Sequence, residues 1–152
     1  MAVDLPPALI VAAPPTTGLR AIPFATSGIG HLMVRGELNG RPIDVLIDSG
    51  STRTIVDRAW ALAAGWSLSP LKERAYGAGG GNLALAQLDG ARLSIGGVAL
   101  SETPLYAIDL ASVARSMRGS GVSAPQVILG SDLLRRHRAL IDYAGNRLWL
   151  AP

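Results

Sequence analysis

Asp48 stands at the end of the apolar run Val45-Leu46-Ile47 and is followed at once by Ser49-Gly50-Ser51-Thr52. A carboxylate carried from an apolar strand into a tight glycine turn is a group that can hold or pass a proton, and its ionised form is costly to bury unless donors surround it. The hydroxyls of Ser49 and Ser51 and the N–H groups of the turn are the donors at hand. The plainer reading of an Asp-Ser-Gly triplet is a capped turn, and three residues alone do not choose between the two. The choice rests on the elements around them.

Upstream, His31 to Leu38 and Arg41 to Ile47 read as two strands joined by Asn39-Gly40. Asn-Gly is the strongest short hairpin signal, because both residues tolerate positive φ. Asp48 therefore sits at the far end of the second strand. Downstream, Thr54-Ile55-Val56 resumes an extended run, and Asp57 to Ala64 reads as one short helix with Asp57 as N-cap and Gly65 as its stop. Tyr76 to Asn82 holds four glycines in five residues, Gly77, Gly79, Gly80 and Gly81 around Ala78, which makes a hinge or loop tip. Leu83 to Leu88, Ala91 to Ile95, Val98 to Leu100 and Pro104 to Ile108 follow as strands punctuated by Asp89-Gly90 and Gly96-Gly97. Leu110 to Pro125 reads as a surface loop with room for one helical turn. Val127-Ile128-Leu129-Gly130 is then a strand, with Ser131 or Asp132 as N-cap of a short helix, and Ala139 to Leu150 is a last hairpin. Arg135, Arg136 and Arg138 read as a solvated helix end.

The 152 residues fit one domain, and 49% hydrophobic against 16% charged residues places the chain among globular rather than disordered proteins. With 18 Gly, 10 Pro and short apolar runs between them, a strand-and-turn protein is favoured over a helical bundle. A net charge of +3 from scattered arginines, without interleaved aromatics, is not a nucleic-acid stripe. Cysteine is absent, which excludes disulfides and thiolate metal sites, and His31 and His137 lack ligand spacing, so neither a metal nor a cofactor is expected. No apolar stretch is long enough for a transmembrane segment. Residues 1–20 read as a flexible Pro-rich tail ahead of a domain over 21–152. Such a start fits the mature side of a processed precursor or a tether, which favours a periplasmic or membrane-tethered setting over a cytoplasmic one.

Taken in order, Val45-Leu46-Ile47-Asp48-Ser49-Gly50-Ser51, the glycine-rich Tyr76 to Asn82, and Ile128-Leu129-Gly130 before a short helix resemble the retropepsin-like aspartic proteases, in particular their bacterial single-domain relatives. The resemblance runs from about Gly30 to Leu150. It implies an all-β fold, a closed β-barrel of the acid-protease half-domain type with one or two short helices. It also implies peptide-bond hydrolysis by a water held between two carboxylates that share a proton. Of the eleven acidic residues only Asp48 lies in an Asp-Ser/Thr-Gly triplet, so the second carboxylate would come from a second copy, in a homodimer.

The roles implied are Asp48 as acid and base, Ser49 as the hydroxyl linking the two active-site loops, and Gly50 as the close backbone approach. Ser51 would orient Asp48. Tyr76, Gly77, Ala78, Gly79 and Gly80 would form a flap that closes on an extended peptide and bonds it by strand addition. Tyr76 also reads as a packing residue. Ile128, Leu129 and Gly130 would support the loop from beneath. Where viral relatives often place Arg after that glycine, this chain has Ser131-Asp132, so an ion pair built on that Arg does not carry over. The rival from another class is a catalytically silent retropepsin-like module that binds peptides or docks to a partner. Against it, such a module has no reason to bury an unpaired Asp. A P-loop is excluded by the missing Gly-Lys-Ser/Thr ending, and a serine hydrolase by the missing nucleophile elbow.

Overall fold

Asn39 and Gly40 take φ of 47° and 77°, the left-handed pair that a two-residue hairpin turn demands. The Asn39 amide locks the turn from outside, donating to the Gly90 carbonyl (3.2 Å) and accepting from the Arg92 N–H (2.6 Å). At Gly40 an added Cβ would meet open space, so only the backbone strain counts. Gly40→Ala is expected to cost about 1 kcal/mol, seen as a lower urea midpoint at unchanged slope.

The computed structural model describes residues 15–76, 82–100, 104–118 and 124–152. In chain order the elements are β1 (Arg20–Pro23), β2 (Ala25–Thr26), β3 (Leu32–Leu38), β4 (Arg41–Ile47), β5 (Ile55–Asp57), α1 (Arg58–Ala63), β6 (Leu68–Tyr76), β7 (Asn82–Leu88), β8 (Leu93–Ile95), β9 (Val98–Ala99), β10 (Leu105–Ile108), α2 (Ala111–Met117), β11 (Val127–Leu129), α3 (Ser131–Arg136), β12 (Leu140–Asp142) and β13 (Arg147–Leu150). The tail lies outside the described residues up to residue 14, and Arg20 already pairs with Leu150. Among the described residues no helix is long and apolar enough to cross a membrane.

The fold is all-β, as the sequence predicts, but it is not a closed barrel. One sheet has the order β1-β13-β12, and the larger runs β6-β7-β10-β5-β11-β4-β3-β8-β9 with β2 on β3. Closure needs the two end strands to pair in register. Here β9 has two residues, while β6 carries Pro70 and a register shift between Pro70 and Arg74, so the path stays open.

The centre of the large sheet is β4-β11-β5. β11 runs parallel to β4 and antiparallel to β5, and it is buried throughout. Both faces of these three strands are covered, which accounts for their nearly unbroken apolar runs. On one face Val45, Ile47, Val56, Val127 and Leu129 enter the main core with Leu133 and Leu134 of α3 and Leu148 of β13. On the other, Leu46, Ile55 and Ile128 join Met33, Leu110 and Met117 in a second cluster.

That second cluster corrects the reading of Leu110 to Pro125 as a surface loop, and brings the helices among the described residues to three. α2 is seven residues long, and Leu110, Val113 and Met117 form a helical stripe that packs down, with Met117 buried. α1 follows expectation: Asp57 caps it by accepting from Trp60 N–H (3.2 Å), and Gly65 leaves it at φ 85°. The cap of α3 does not. Gly130 is its N-cap residue, with no side-chain cap bond, and both Ser131 and Asp132 lie inside the helix.

Candidate active site

The parallel ladder between β4 and β11 continues one residue past Ile47, where the Asp48 N–H donates to the Leu129 carbonyl (3.0 Å). Strand alternation then sets Asp48 on the side of Leu46, the face of the second cluster, rather than on the main-core side of Ile47. The chain turns immediately. Gly50 N–H donates to Asp48 Oδ1 (3.0 Å) and Ser51 N–H to the Asp48 carbonyl (3.1 Å), an Asx-type turn that orients the carboxylate.

Residues 48–54 then cross the end of β11 and are tied down from below. The Ser131 N–H donates to the Ser51 carbonyl (2.7 Å), and Gly130 N–H to Thr54 Oγ1 (3.0 Å). Thr54, fully buried, donates from its N–H to Asp132 Oδ2 (3.0 Å) and from its hydroxyl to Asp132 Oδ1 (2.8 Å). Asp132 Oδ1 also accepts from Leu133 N–H (2.8 Å). Asp132 is thus the tie between α3 and the loop. The close approach leaves no room at Gly130, where a Cβ would lie 2.4 Å from the Arg53 carbonyl oxygen and 2.9 Å from that of Ser51.

Two expectations change here. Ser51 does not orient Asp48 through its hydroxyl, which donates instead to the Arg53 carbonyl (2.7 Å), so it shapes the loop. The carboxylate itself is exposed in the single chain rather than buried, because the turn carries it beyond the apolar run. Ser49 is exposed as well, and its hydroxyl makes no hydrogen bond among the described residues. It lines an open cavity of about 290 Å³ together with Ser131, Leu134, Arg138 and Ile141.

Of the residues expected beneath the loop, Ile128 faces the Asp48 side with Leu46 and Ile55, Leu129 faces the main core, and Gly130 is the contact point. The expected flap sits on the β6–β7 hairpin. Tyr76 and Asn82 are its outermost described pair, and Gly77, Ala78, Gly79 and Gly80 lie outside the described residues. Arg74 clamps the outer described end of the hairpin, donating to Asn82 Oδ1 (2.6 Å) and to the Asn82 carbonyl (2.7 Å). Tyr76 is 81% exposed, which argues against the packing reading. The hairpin reaches the Asp48 loop through the sheet, since β7 pairs with β10 and β10 with β5.

Thr54, Asp132, Arg53, Tyr106 and Met117 were not among the sequence candidates. Arg53 is the nearest to a legible signal, being a cation on the Asp48 loop, and its guanidinium lies 4.7 Å from the centre of the Tyr106 ring. Among the described residues no three His, Cys, Asp or Glu side chains cluster as a metal site.

A family model described as aspartyl protease matches residues 34–133, which span β3 to the first half of α3. No individual curated protein matches the chain in sequence. Among solved structures, a retropepsin-like aspartic protease from Rickettsia conorii is similar at a TM-score of 0.57 and 19% identity, covering 87% of this chain and 90% of that one. The retroviral protease-like domain of Ddi1 from Leishmania major gives 0.55 and 21%, over 83% and 89%. EIAV protease complexed with the inhibitor HBY-793 gives 0.50 and 17%, over 74% and 93%. With two thirds of its length under one family model, and a β4-β11-β5 core that presents an Asp-Ser-Gly loop, the chain belongs to the aspartyl protease family and has the retropepsin-like fold.

Proposed function

We propose that the chain is an aspartic endopeptidase that works as a homodimer, each copy supplying its Asp48. The observation that carries this is the state of the Asp48-Ser49-Gly50 loop in one chain. Its carboxylate is oriented by the Gly50 N–H, exposed, and set on a face floored by Leu46, Ile55 and Ile128, while the Ser49 hydroxyl beside it has no partner among the described residues. In the dimer one Asp48 carboxylate takes a proton from a bound water as its oxygen attacks the scissile carbonyl carbon. The second, protonated Asp48 hydrogen-bonds the carbonyl oxygen and transfers its proton there. Collapse of the resulting diol returns a hydroxyl proton to one carboxylate, passes a proton to the departing amine nitrogen and breaks the C–N bond. Ser49 of each copy bridges to the other loop, and the β6–β7 hairpin, through Tyr76 and Gly77 to Gly80, adds backbone hydrogen bonds to an extended substrate.

A second reading, a peptide-holding module without turnover, is favoured by one observation. An exposed carboxylate costs little to keep, so the presence of Asp48 does not by itself demand chemistry. Mixing separates the two. Peptide-library cleavage is measured from acid to neutral pH with wild-type chain alone and with a ninefold excess of Asp48→Asn. A shared site predicts cleavage whose rate per wild-type chain falls roughly tenfold on mixing, since nine of ten partners are then inactive. Cleavage indifferent to the mutant overturns the dimeric mechanism, and a folded wild type that cleaves nothing at any of these pH values favours the holding module.

A further inference from the structure

We propose that Arg53, braced on Tyr106, forms a subsite that reads an acidic side chain of the bound peptide, which makes acidic extended peptides the substrate class. This rests on the reading that the Asp48 face binds a peptide.

Arg53 follows Asp48 by five positions in the same loop, and its main chain is held. Its carbonyl accepts from Ser51 Oγ (2.7 Å) and lies against Gly130, and the next N–H, that of Thr54, is bound to Asp132. From this fixed root the exposed side chain lays its guanidinium over the Tyr106 ring, 4.7 Å from the centroid, a cation–π distance. Tyr106 belongs to β10, opposite Ile55 of β5 and Gln87 of β7, and it packs on the second cluster. The cation therefore stands on the Asp48 face, between the catalytic loop and the hairpin of the candidate flap.

Among the described residues it has no bound anion. The guanidinium makes no ion pair or hydrogen bond among them; on its own loop Asp48 is turned to the Gly50 N–H, while Asp132 is engaged by Thr54 and Leu133 and Asp57 by Trp60 and Leu110. A surface arginine is ordinarily just solvated. This one differs in having a held backbone, an aromatic shelf that limits its rotamers, and a place on the same loop as Asp48. Five unspent N–H donors in a planar fork suit a carboxylate bound bidentately, and the bracing reduces the entropy lost on binding.

The test uses a random decapeptide library read in two ways, as sites cleaved by the wild-type chain and as peptides retained by immobilised Asp48→Asn chain. Each is repeated in the Arg53→Gln and Arg53→Glu backgrounds. Arg92→Gln, the same charge change beside the β3–β4 turn, is the control for net charge. Expected is an enrichment of Asp and Glu of about fivefold at one position, kept in Arg92→Gln, lost in Arg53→Gln and replaced by Lys and Arg in Arg53→Glu. No acidic enrichment, or one that Arg53→Gln and Arg92→Gln lower equally, overturns the proposal. If wild type cleaves nothing, the proteolytic reading fails, and the retained peptides alone decide for or against Arg53 by the same criteria.

Discussion

Asp48→Asn is expected to abolish peptide cleavage, with kcat/KM falling at least about a thousandfold, while the fold and the proposed dimer persist. Asn has the shape of Asp, and its side-chain oxygen can still accept from the Gly50 N–H that orients the native carboxylate (3.0 Å). An exposed site pays little for the change, so the unfolding free energy of the mutant in urea titration should stay within about 0.5 kcal/mol of wild type. What the amide cannot do is take a proton from water at any pH in the working range. In a dimer the substitution removes both bases at once, so no residual general base remains near the water. The proposed dimer should be no weaker, because two facing carboxylates repel when both are ionised and two amides do not. The informative combination is kinetics with sedimentation on the same samples. Cleavage retained by a folded Asp48→Asn dimer would show that the chemistry lies elsewhere.

Gly130→Ala is expected to be severely destabilising, costing about 3 kcal/mol or more. The added Cβ would meet the Arg53 carbonyl oxygen at 2.4 Å, its carbon at 2.5 Å and the Ser51 carbonyl oxygen at 2.9 Å, all of them backbone atoms. Relief would require the loop to lift off β11. Lifting breaks the Ser131-to-Ser51 and Gly130-to-Thr54 hydrogen bonds and pulls Thr54 away from Asp132, leaving buried polar groups unpaired. A loss of this size is a large share of the stability of a domain of this length. Urea unfolding and cleavage should fall together, in contrast to Gly40→Ala, whose Cβ meets nothing and whose turn lies at the far end of β4. A Gly130→Ala chain as stable as Gly40→Ala would mean that the loop does not rest on α3.

The parts legible in the sequence were those written in local grammar. Asn39-Gly40 declares its turn because few residues accept two positive φ values in succession, and that turn fixes where β4 begins and its register on β3, from which Asp48 emerges. The Val127 to Leu129 strand follows from an equally local signal, whereas β6 (Leu68–Tyr76), with Pro70 and its charged residues, does not announce itself as a strand. Illegible were the features set by partners far along the chain. Ser131-Asp132 before Leu133-Leu134 satisfies every local rule for a helix cap, yet Asp132 is claimed by Thr54, seventy-eight residues away. The Ser51 hydroxyl had acceptors within reach on either side, Asp48 and the Arg53 carbonyl, and only the path of the loop over β11 selects the second. Helix α2 hid because its stripe of Leu110, Val113 and Met117 is spaced out by Ala, Ser and Arg, and what completes it is the second cluster on a distant sheet. Barrel closure was overread for a related reason, since whether end strands meet depends on register across the whole sheet.

The insertion of β11 between β4 and β5 also sets an order of events in synthesis. Asp48, Ser51 and Thr54 leave the ribosome long before Leu129, Gly130, Ser131 and Asp132, the residues that hold their loop in place. Until then the two flanking strands lack the strand that lies between them, and closing so long a stretch of chain is entropically slow. A nascent chain therefore carries the Asp48 carboxylate on an unorganised loop, and the geometry of that loop appears only when β11 and the start of α3 have been made and threaded into their slot.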